Sequence, residues 1–122
     1  MGDIKHFTDL DAWKINHQAA LLIYKITKDF PQVERFGMID QLRRASTSVT
    51  ANIAEGWGRF HYQDRIRFYY QARGSNSEVE NFLLLAKDLA YITANDFQVI
   101  YDLVKQGNQI ISGLIRSIEK RK

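Results

Sequence analysis

Apolar residues recur every three or four positions along most of the chain, which is the period of one face of an α-helix. The first of these stripes consists of Leu10, Trp13, His17, Ala20, Leu21 and Tyr24. Thr8 and Asp11 resemble a capping box with the shorter acid, and Pro31 disfavours helical geometry in the residue before it. The pattern predicts a first helix over about residues 9–28.

A second stripe predicts a helix over about residues 34–57, from Glu34 to a stop at Gly56-Trp57-Gly58. Its buried face comprises Ile39, Leu42, Ala45, Ser46, Val49 and Ile53. Small residues are frequent on this helix, which favours the close approach of a neighbouring helix.

The rest of the chain predicts two longer helices, over about residues 64–91 and 94–120. Asp64 is the expected cap of the third helix, and Thr93 with Asp96 forms the expected cap of the fourth. Gly74 interrupts the third helix at a cost of about 1 kcal/mol relative to Ala. We therefore expect Gly74 either to allow close packing or to mark a kink.

Short connections between four amphipathic helices favour antiparallel neighbours. No segment shows the alternation typical of a strand. The sequence thus predicts an all-α protein, an antiparallel up-down-up-down four-helix bundle, as a single domain over residues 1–122.

Composition narrows the class of protein further. Apolar residues make up 45% and charged residues 25% of the chain, as in ordinary folded proteins. The absence of cysteine excludes disulfides and thiolate metal sites, and no apolar run is long enough for a membrane span or an export signal. We expect a cytoplasmic protein without membrane association.

Residues with the spacing of a catalytic or metal site are missing from the sequence. His6, His17 and His61 are far apart in the sequence, with no two of them at helical metal-pair spacing, and the Ser75 region lacks a nucleophile elbow. Gly56-Trp57-Gly58 follows a helix, whereas phosphate-binding loops follow a strand. These patterns predict no catalytic residue, no cofactor and no small-molecule substrate, and hence no enzyme.

Positive charge is concentrated in the middle of the chain. The net charge is +3, and residues 35–73 contain seven basic and three acidic residues. The candidate nucleic-acid-binding residues are Arg43, Arg59, Arg65, Arg67 and Arg73, interleaved with Phe60, Tyr62, Phe68, Tyr69 and Tyr70. Guanidinium groups neutralise phosphates and exposed rings stack on bases. The alternative is a solvated basic face with the aromatic side chains in the core.

A polar seam runs beside the buried face of the second helix. It consists of Gln41, Arg44, Ser48, Asn52 and Glu55, which fall within about 80° at 100° per residue. One interpretation is that Arg44 pairs with Glu55 across a helix or subunit contact while Ser48 and Asn52 donate hydrogen bonds. The other interpretation is a polar ligand site.

Several of these segments together resemble a known family. They are Asp9 to Lys14 (DLDAWK), Phe30-Pro31, QLRRA at 41–45, NIAEG at 52–56, and Gly74-Ser75 with Glu78. In this combination and spacing the chain is similar to the bacterial four-helix bundle proteins encoded in intervening sequences of 23S ribosomal RNA genes. Residues 46–51 depart from the pattern, since they are more polar and lack its proline, which predicts a straighter second helix.

The resemblance implies an antiparallel four-helix subunit, assembly into a five-membered ring, no established enzymatic activity and contact with nucleic acid. Accessory proteins of diversity-generating retroelements are related by the same resemblance. Only Arg43, Arg44 and Arg59 match basic positions of the motif.

Two hypotheses follow from the sequence. The first is a homo-oligomeric protein that binds RNA or DNA through a basic surface. The alternative is a structural scaffold for protein interactions, in which the arginines and the polar seam stabilise subunit contacts.

Overall fold

A computed structural model describes residues 3–120, and the regular secondary structure of this range is entirely helical. The helices are α1 (Asp11–Thr27), α2 (Met38–Trp57), α3 (Tyr62–Asp88) and α4 (Ala94–Glu119). Short 3-10 turns at Phe7–Asp9 and Gln32–Glu34 precede α1 and α2. At 1.5 Å per residue, α3 and α4 are each about 40 Å long and α1 and α2 about 25–30 Å. The predicted all-α class is confirmed.

Each helix packs against two neighbours, α1 and α3 both contacting α2 and α4, and within residues 3–120 no Cα atoms of diagonally opposite helices lie within 8 Å of each other. Specific contacts give the directions of the helices. Ser48 of α2 meets Ser75 of α3, whereas Gly56, further along α2, meets Tyr69, which is earlier in α3. α2 and α3 therefore run in opposite directions, and the contacts of Arg73 with Ser112 and of Asn76 with Val104 show the same for α3 and α4.

The core is apolar, with a few buried polar side chains that bond to the backbone. Asn16 Nδ2 donates to the Ala12 carbonyl at 2.7 Å, and Asn76 Nδ2 donates to the Val104 carbonyl of α4 at 2.9 Å. A buried amide without a partner costs about 1–3 kcal/mol. The Asn76 bond therefore favours one register of α3 against α4.

The start of α2 differs from the prediction. α2 begins at Met38 and not near Glu34, because Gln32–Glu34 forms a 3-10 turn. Glu34 Oε1 accepts a hydrogen bond from the Met38 backbone N–H at 3.2 Å. Glu34 thus caps the helix from outside and does not belong to it.

The bounds of α3 are also shifted. The helix begins at Tyr62, so Asp64 lies within its first turn, and the prediction that Asp64 is the cap is wrong. At the other end α3 stops at Asp88, because Ala90 adopts a left-handed conformation with φ of 60°. The Tyr91 N–H then donates to the Ala86 carbonyl at 2.9 Å, a bond typical of a left-handed helix end.

One predicted cap is confirmed and another is wrong. Thr93 Oγ1 accepts from the Asp96 backbone N–H at 3.1 Å and caps α4. The N-cap of α1 is Leu10, which makes no side-chain bond, so the capping box predicted from Thr8 and Asp11 does not form. The reciprocal bonds instead join His6 and Asp9 around the first 3-10 turn.

Gly74 lies within a continuous α3 and faces open space. No heavy atom other than local backbone lies within 4 Å of the position that a Cβ would occupy there. The close packing expected at Gly74 is therefore absent within this chain. Arg121 and Lys122 are the last two residues of the given sequence, and they lie outside the described residues.

Candidate nucleic-acid interface at the turn between α2 and α3

The turn between α2 and α3 comprises residues 58–61 and is held closely by its flanking helices. Gly58 forms the C-cap of α2, and its N–H donates to the Ala54 and Glu55 carbonyls. Gly56 has a different role, because a Cβ there would lie 2.7 Å from Cε1 of the buried Tyr69 ring. Gly58 therefore ends α2, whereas Gly56 lets α2 approach α3.

Three of the candidate arginines meet at this turn, and we call Arg59, Arg65 and Arg67 the arginine cluster. The guanidinium carbons of Arg59 and Arg67 each lie 4.7 Å from the centroid of the Phe68 ring. Arg65 Nε donates to the Arg59 carbonyl at 2.6 Å, and its guanidinium lies 5.3 Å from the Trp57 ring. Aromatic faces and a backbone carbonyl thus hold the three cations in place.

The aromatic residues of this region differ strongly in exposure. Tyr69 is buried, and Phe68 is half-buried between two guanidinium groups. Phe60 leaves 87% of its surface in solvent, and its ring lies perpendicular to the His61 ring, with 5.0 Å between the two centroids. A core position therefore describes Tyr69 but not Phe60.

The other two candidate arginines lie elsewhere. Arg43 Nε donates to Thr27 Oγ1 at 2.8 Å and Arg43 Nη2 donates to the Tyr24 carbonyl at 3.2 Å. Sixteen residues separate Arg43 from Arg59, which is about 24 Å along a helix. Arg73 lies 4.8 Å from the Tyr70 ring and reaches Ser112 of α4 at 3.4 Å.

The polar seam does not act as one site within the chain. Asn52 Nδ2 donates to the Ser48 carbonyl and hydroxyl, and Ser48 Oγ lies 2.9 Å from Ser75 Oγ of α3. Gln41 is exposed at the start of the seam. The middle of the seam therefore links α2 to α3.

The prediction that Arg44 pairs with Glu55 is wrong within this chain. Arg44 Nε donates to Asp40 at 2.9 Å, and Glu55 pairs with Arg59. Both ion pairs have the i,i+4 spacing that brings side chains together on a helix, so this spacing in the sequence was the missed signal. Pairing across a subunit contact stays a prediction.

Trp57 was missed as a part of the site. The sequence pattern identifies Trp57 only as the middle of a helix stop, yet its ring faces the Arg65 guanidinium. Eight residues and a turn separate the two positions. No local spacing rule connects them.

The chemistry of the site is that of an anion-binding surface. Residues 55–67 contain three arginines against the carboxylates of Glu55 and Asp64. Burial raises the pKa of Tyr69, while the positive charge of Arg65 acts in the opposite direction. The Tyr69 hydroxyl is therefore protonated and neutral near pH 7, and the site offers guanidinium donors and ring faces.

Features of a metal site or of a membrane span are absent from residues 3–120. Within this range, no group of three or more His, Asp or Glu side chains is placed to hold a metal ion. None of the helices described here combines the length and apolar character needed to cross a membrane.

Comparison with known proteins gives a family and a set of similar solved structures. A family model described as 23S rRNA-intervening sequence protein matches residues 8–113. The fold is similar to the crystal structure of a protein of unknown function from the S23 ribosomal protein family of Bacteroides thetaiotaomicron VPI-5482, with 25% sequence identity and a TM-score of 0.77. The match covers 85% of this chain and 97% of that one. No curated protein matches the chain.

Proposed function

The chain belongs to the 23S rRNA-intervening sequence protein family, and within it we propose that this protein is a non-enzymatic, homo-oligomeric protein that binds RNA or DNA in the cytoplasm. The observation that carries the proposal is the arginine cluster at the turn between α2 and α3. Its guanidinium groups lie against aromatic rings next to the exposed Phe60. This combination suits a sugar-phosphate backbone with accessible bases.

The stacked arrangement of the arginines suits the binding of an oxyanion such as phosphate. A guanidinium that is already stacked loses little conformational freedom when its N–H edge binds an oxyanion. The local excess of positive charge is small, because Glu55 pairs with Arg59. One subunit is therefore expected to bind weakly.

Assembly of several subunits compensates for weak binding by each of them. The family resemblance favours a five-membered ring, which would present five copies of the arginine cluster. Linked sites bind a common strand more tightly than separate ones, because the second contact becomes intramolecular.

The test compares two matched arginines in a binding assay with structured RNA and duplex DNA. Arg67 lies over Phe68 at 4.7 Å, and Arg35, at the other end of the bundle, lies over Phe36 at 5.2 Å. Both side chains belong to exposed residues. Arg67→Ala should weaken binding uniformly across sequences and lower the salt slope by about 1 per contact, whereas Arg35→Ala should bind like the wild type.

Fluorescence anisotropy at low and high salt measures both variants. Wild-type affinity should fall as salt rises, because binding releases condensed counterions. A wild-type protein that binds neither RNA nor duplex DNA at low salt contradicts the proposal. Equal losses in Arg67→Ala and Arg35→Ala would also count against it.

A second candidate function is a scaffold whose polar seam stabilises subunit contacts. It is favoured by the open surface beside the seam, where Arg44 is largely exposed and Gly74 has no neighbour within 4 Å of a Cβ position. On this hypothesis Arg44→Ala or Glu55→Ala dissociates the oligomer. Light scattering that shows intact assemblies for both variants would exclude it.

A further inference from the structure

The turn between α2 and α3 contains one phenyl ring, that of Phe60, which does not pack in the core. We propose that it binds unpaired nucleotides of RNA or DNA, with the Phe60 ring stacking on a base and the arginine cluster contacting the adjoining phosphates. This inference rests on the proposed function and deepens it, because it names single-stranded rather than duplex nucleic acid as the ligand.

The first argument is the availability of the Phe60 ring. Phe60 is 87% exposed, whereas Phe68 is covered by two guanidinium groups and Tyr69 is buried. The Phe60 and His61 rings are perpendicular, with an interplanar angle of 89°, so His61 does not stack face to face on Phe60, and the 87% exposure of Phe60 leaves a ring face open. Phe60 therefore offers a flat apolar surface of the size of a base.

The second argument concerns the kind of nucleic acid whose base faces an exposed ring can contact. In a duplex the base faces are covered by neighbouring base pairs, and only their edges and the backbone face the protein. In a single strand the faces are open, and stacking on aromatic side chains stabilises binding with little regard to sequence. A ring exposed on a convex turn therefore discriminates in favour of unpaired bases.

The third argument is the placement of charge beside the ring. Arg59 precedes Phe60 in the chain, and Arg67 lies on the same Phe68 ring as Arg59. α3 also begins here, and its N-cap His61 makes no side-chain cap bond. Asp64 in the first turn of α3 offsets the positive end of the helix dipole, so the attraction for phosphates comes from the arginines.

The fourth argument is the rigidity of the support. The turn is four residues long, Gly58 is capped by two carbonyls of α2, and Gly56 holds α2 close to Tyr69. A ring on a short, fixed turn loses little entropy on binding.

The experiment measures binding of full-length protein to labelled strands of about 16 nucleotides, the upper end of the site sizes of comparable grooves. The probes are oligo-uridine, oligo-deoxyuridine, an abasic strand of the same length, and a duplex. The abasic strand keeps the phosphates and removes the bases, so it separates stacking from charge. The two oligonucleotides separate RNA from DNA.

Phe60→Ala is the test variant and Phe36→Ala the matched control, because Phe36 is 84% exposed and also lies beside an arginine. Phe60→Ala should bind the base-bearing strands about 5- to 100-fold more weakly and the abasic strand as the wild type does. Phe60→Trp should retain binding, and Phe36→Ala should leave all probes unaffected. Wild-type protein should prefer the single strands over the duplex.

The outcomes distinguish this inference from the function on which it rests. Wild-type protein that binds no probe at low salt contradicts the proposed function. Wild-type binding that is unchanged in Phe60→Ala, or reduced equally for abasic and base-bearing strands, contradicts the stacking role alone. Light scattering completes the test, since dissociation of the oligomer by Phe60→Ala would make Phe60 a subunit contact and overturn the inference.

Discussion

Both ends of the bundle place an arginine over an aromatic ring. The two ends differ in whether the N–H donors of that arginine are hydrogen-bonded within the chain. Where α1 ends and α2 begins, Arg43 lies over the Tyr24 ring, and its donors bond to Thr27 and to the Tyr24 carbonyl. At the turn between α2 and α3, Arg67 lies over Phe68 and is exposed to solvent. An arginine on an aromatic ring is therefore not by itself a sign of binding. What matters is whether its N–H donors are already bonded within the chain.

The acids differ in the same way between the two ends. Glu34 accepts hydrogen bonds from the Met38 N–H at 3.2 Å and from the Tyr91 hydroxyl at 3.0 Å, and so joins the two loops at its end of the bundle. Glu55 at the opposite end bonds to the side chain of one arginine. The end with Glu34 is closed by a bond between loops and exposes one arginine beside a ring, Arg35 with Phe36, whereas the other end gathers the three arginines of the arginine cluster beside the exposed Phe60.

The largest effect is expected from Gly56, which sets the spacing of the helices below the arginine cluster. Gly56→Ala places a Cβ 2.7 Å from Tyr69 Cε1 and 3.2 Å from the Arg65 carbonyl. Overpacking of this kind costs about 1–3 kcal/mol. Urea unfolding should show a lower midpoint.

Gly58→Ala is the control for this change. Its φ of −74° suits any residue, and a Cβ there would meet nothing closer than 3.5 Å. Its free energy of unfolding should stay within about 0.5 kcal/mol of the wild-type value. If Gly56→Ala is as stable as Gly58→Ala, the close approach of α2 and α3 at this end is not real.

The next prediction compares the two arginines that lie over aromatic rings, Arg43 and Arg67, in stability and in binding. Arg43→Ala removes two hydrogen bonds to the end of α1 and should lower the free energy of unfolding by about 1 kcal/mol, with nucleic-acid binding retained. Arg67→Ala should leave stability within about 0.5 kcal/mol and weaken binding.

Urea unfolding and anisotropy on the same two variants provide the measurement. If both variants lose stability and neither loses affinity, the difference between the two ends disappears. The result would then favour the view that every stacked arginine is structural.

The number and type of the helices could be predicted from the sequence, because each apolar stripe keeps the helical period. The cap at Thr93 could also be predicted, since its partner Asp96 lies three residues away. The start of α2 could not, because Glu34 is bonded to Tyr91, 57 residues further along the chain. Local patterns predict local bonds, and this helix boundary depends on a distant one.

The candidate site shows the same division. The excess of arginine and aromatic residues over 35–73 is visible in the sequence. That Arg43 is bonded to α1 while Arg67 faces solvent depends on which helices become neighbours. The error over Arg44 and Glu55 was different, because the competing partners Asp40 and Arg59 stood at i,i+4 spacing in the sequence.

A smaller effect is expected at the closed end, where α3 stops in a left-handed residue. Ala90 has φ of 60°, a conformation that costs residues with a Cβ about 1–2 kcal/mol. Ala90→Gly relieves this cost but gains freedom in the unfolded chain, so a net increase in stability of about 0.5–1 kcal/mol is expected. Thermal unfolding tests it, and a lower midpoint than that of the wild type would show that the conformation is not strained.

The smallest effect appears only at alkaline pH and compares one tyrosine from each end. Burial raises the pKa of Tyr69 from 10.0, against the influence of Arg65, and the hydrogen bond to Glu34 raises the pKa of Tyr91 from 10.0. The unfolded chain therefore ionises first as pH rises. The stability that each hydroxyl contributes is complete below pH 10.0 and is lost as pH passes through the raised folded-state pKa.

Unfolding midpoints measured from pH 8 to about pH 11 in wild type, Tyr69→Phe and Tyr91→Phe isolate these contributions, because the three proteins share every other ionisable side chain. Each variant should lose less stability than the wild type over the alkaline part of the series. A Tyr91→Phe curve that runs parallel to the wild-type curve would mean that the carboxylate of Glu34 does not hold the Tyr91 proton. The end of the bundle at Glu34 would then resemble the end at the turn between α2 and α3, because it too would contain a polar group without a hydrogen bond within the chain.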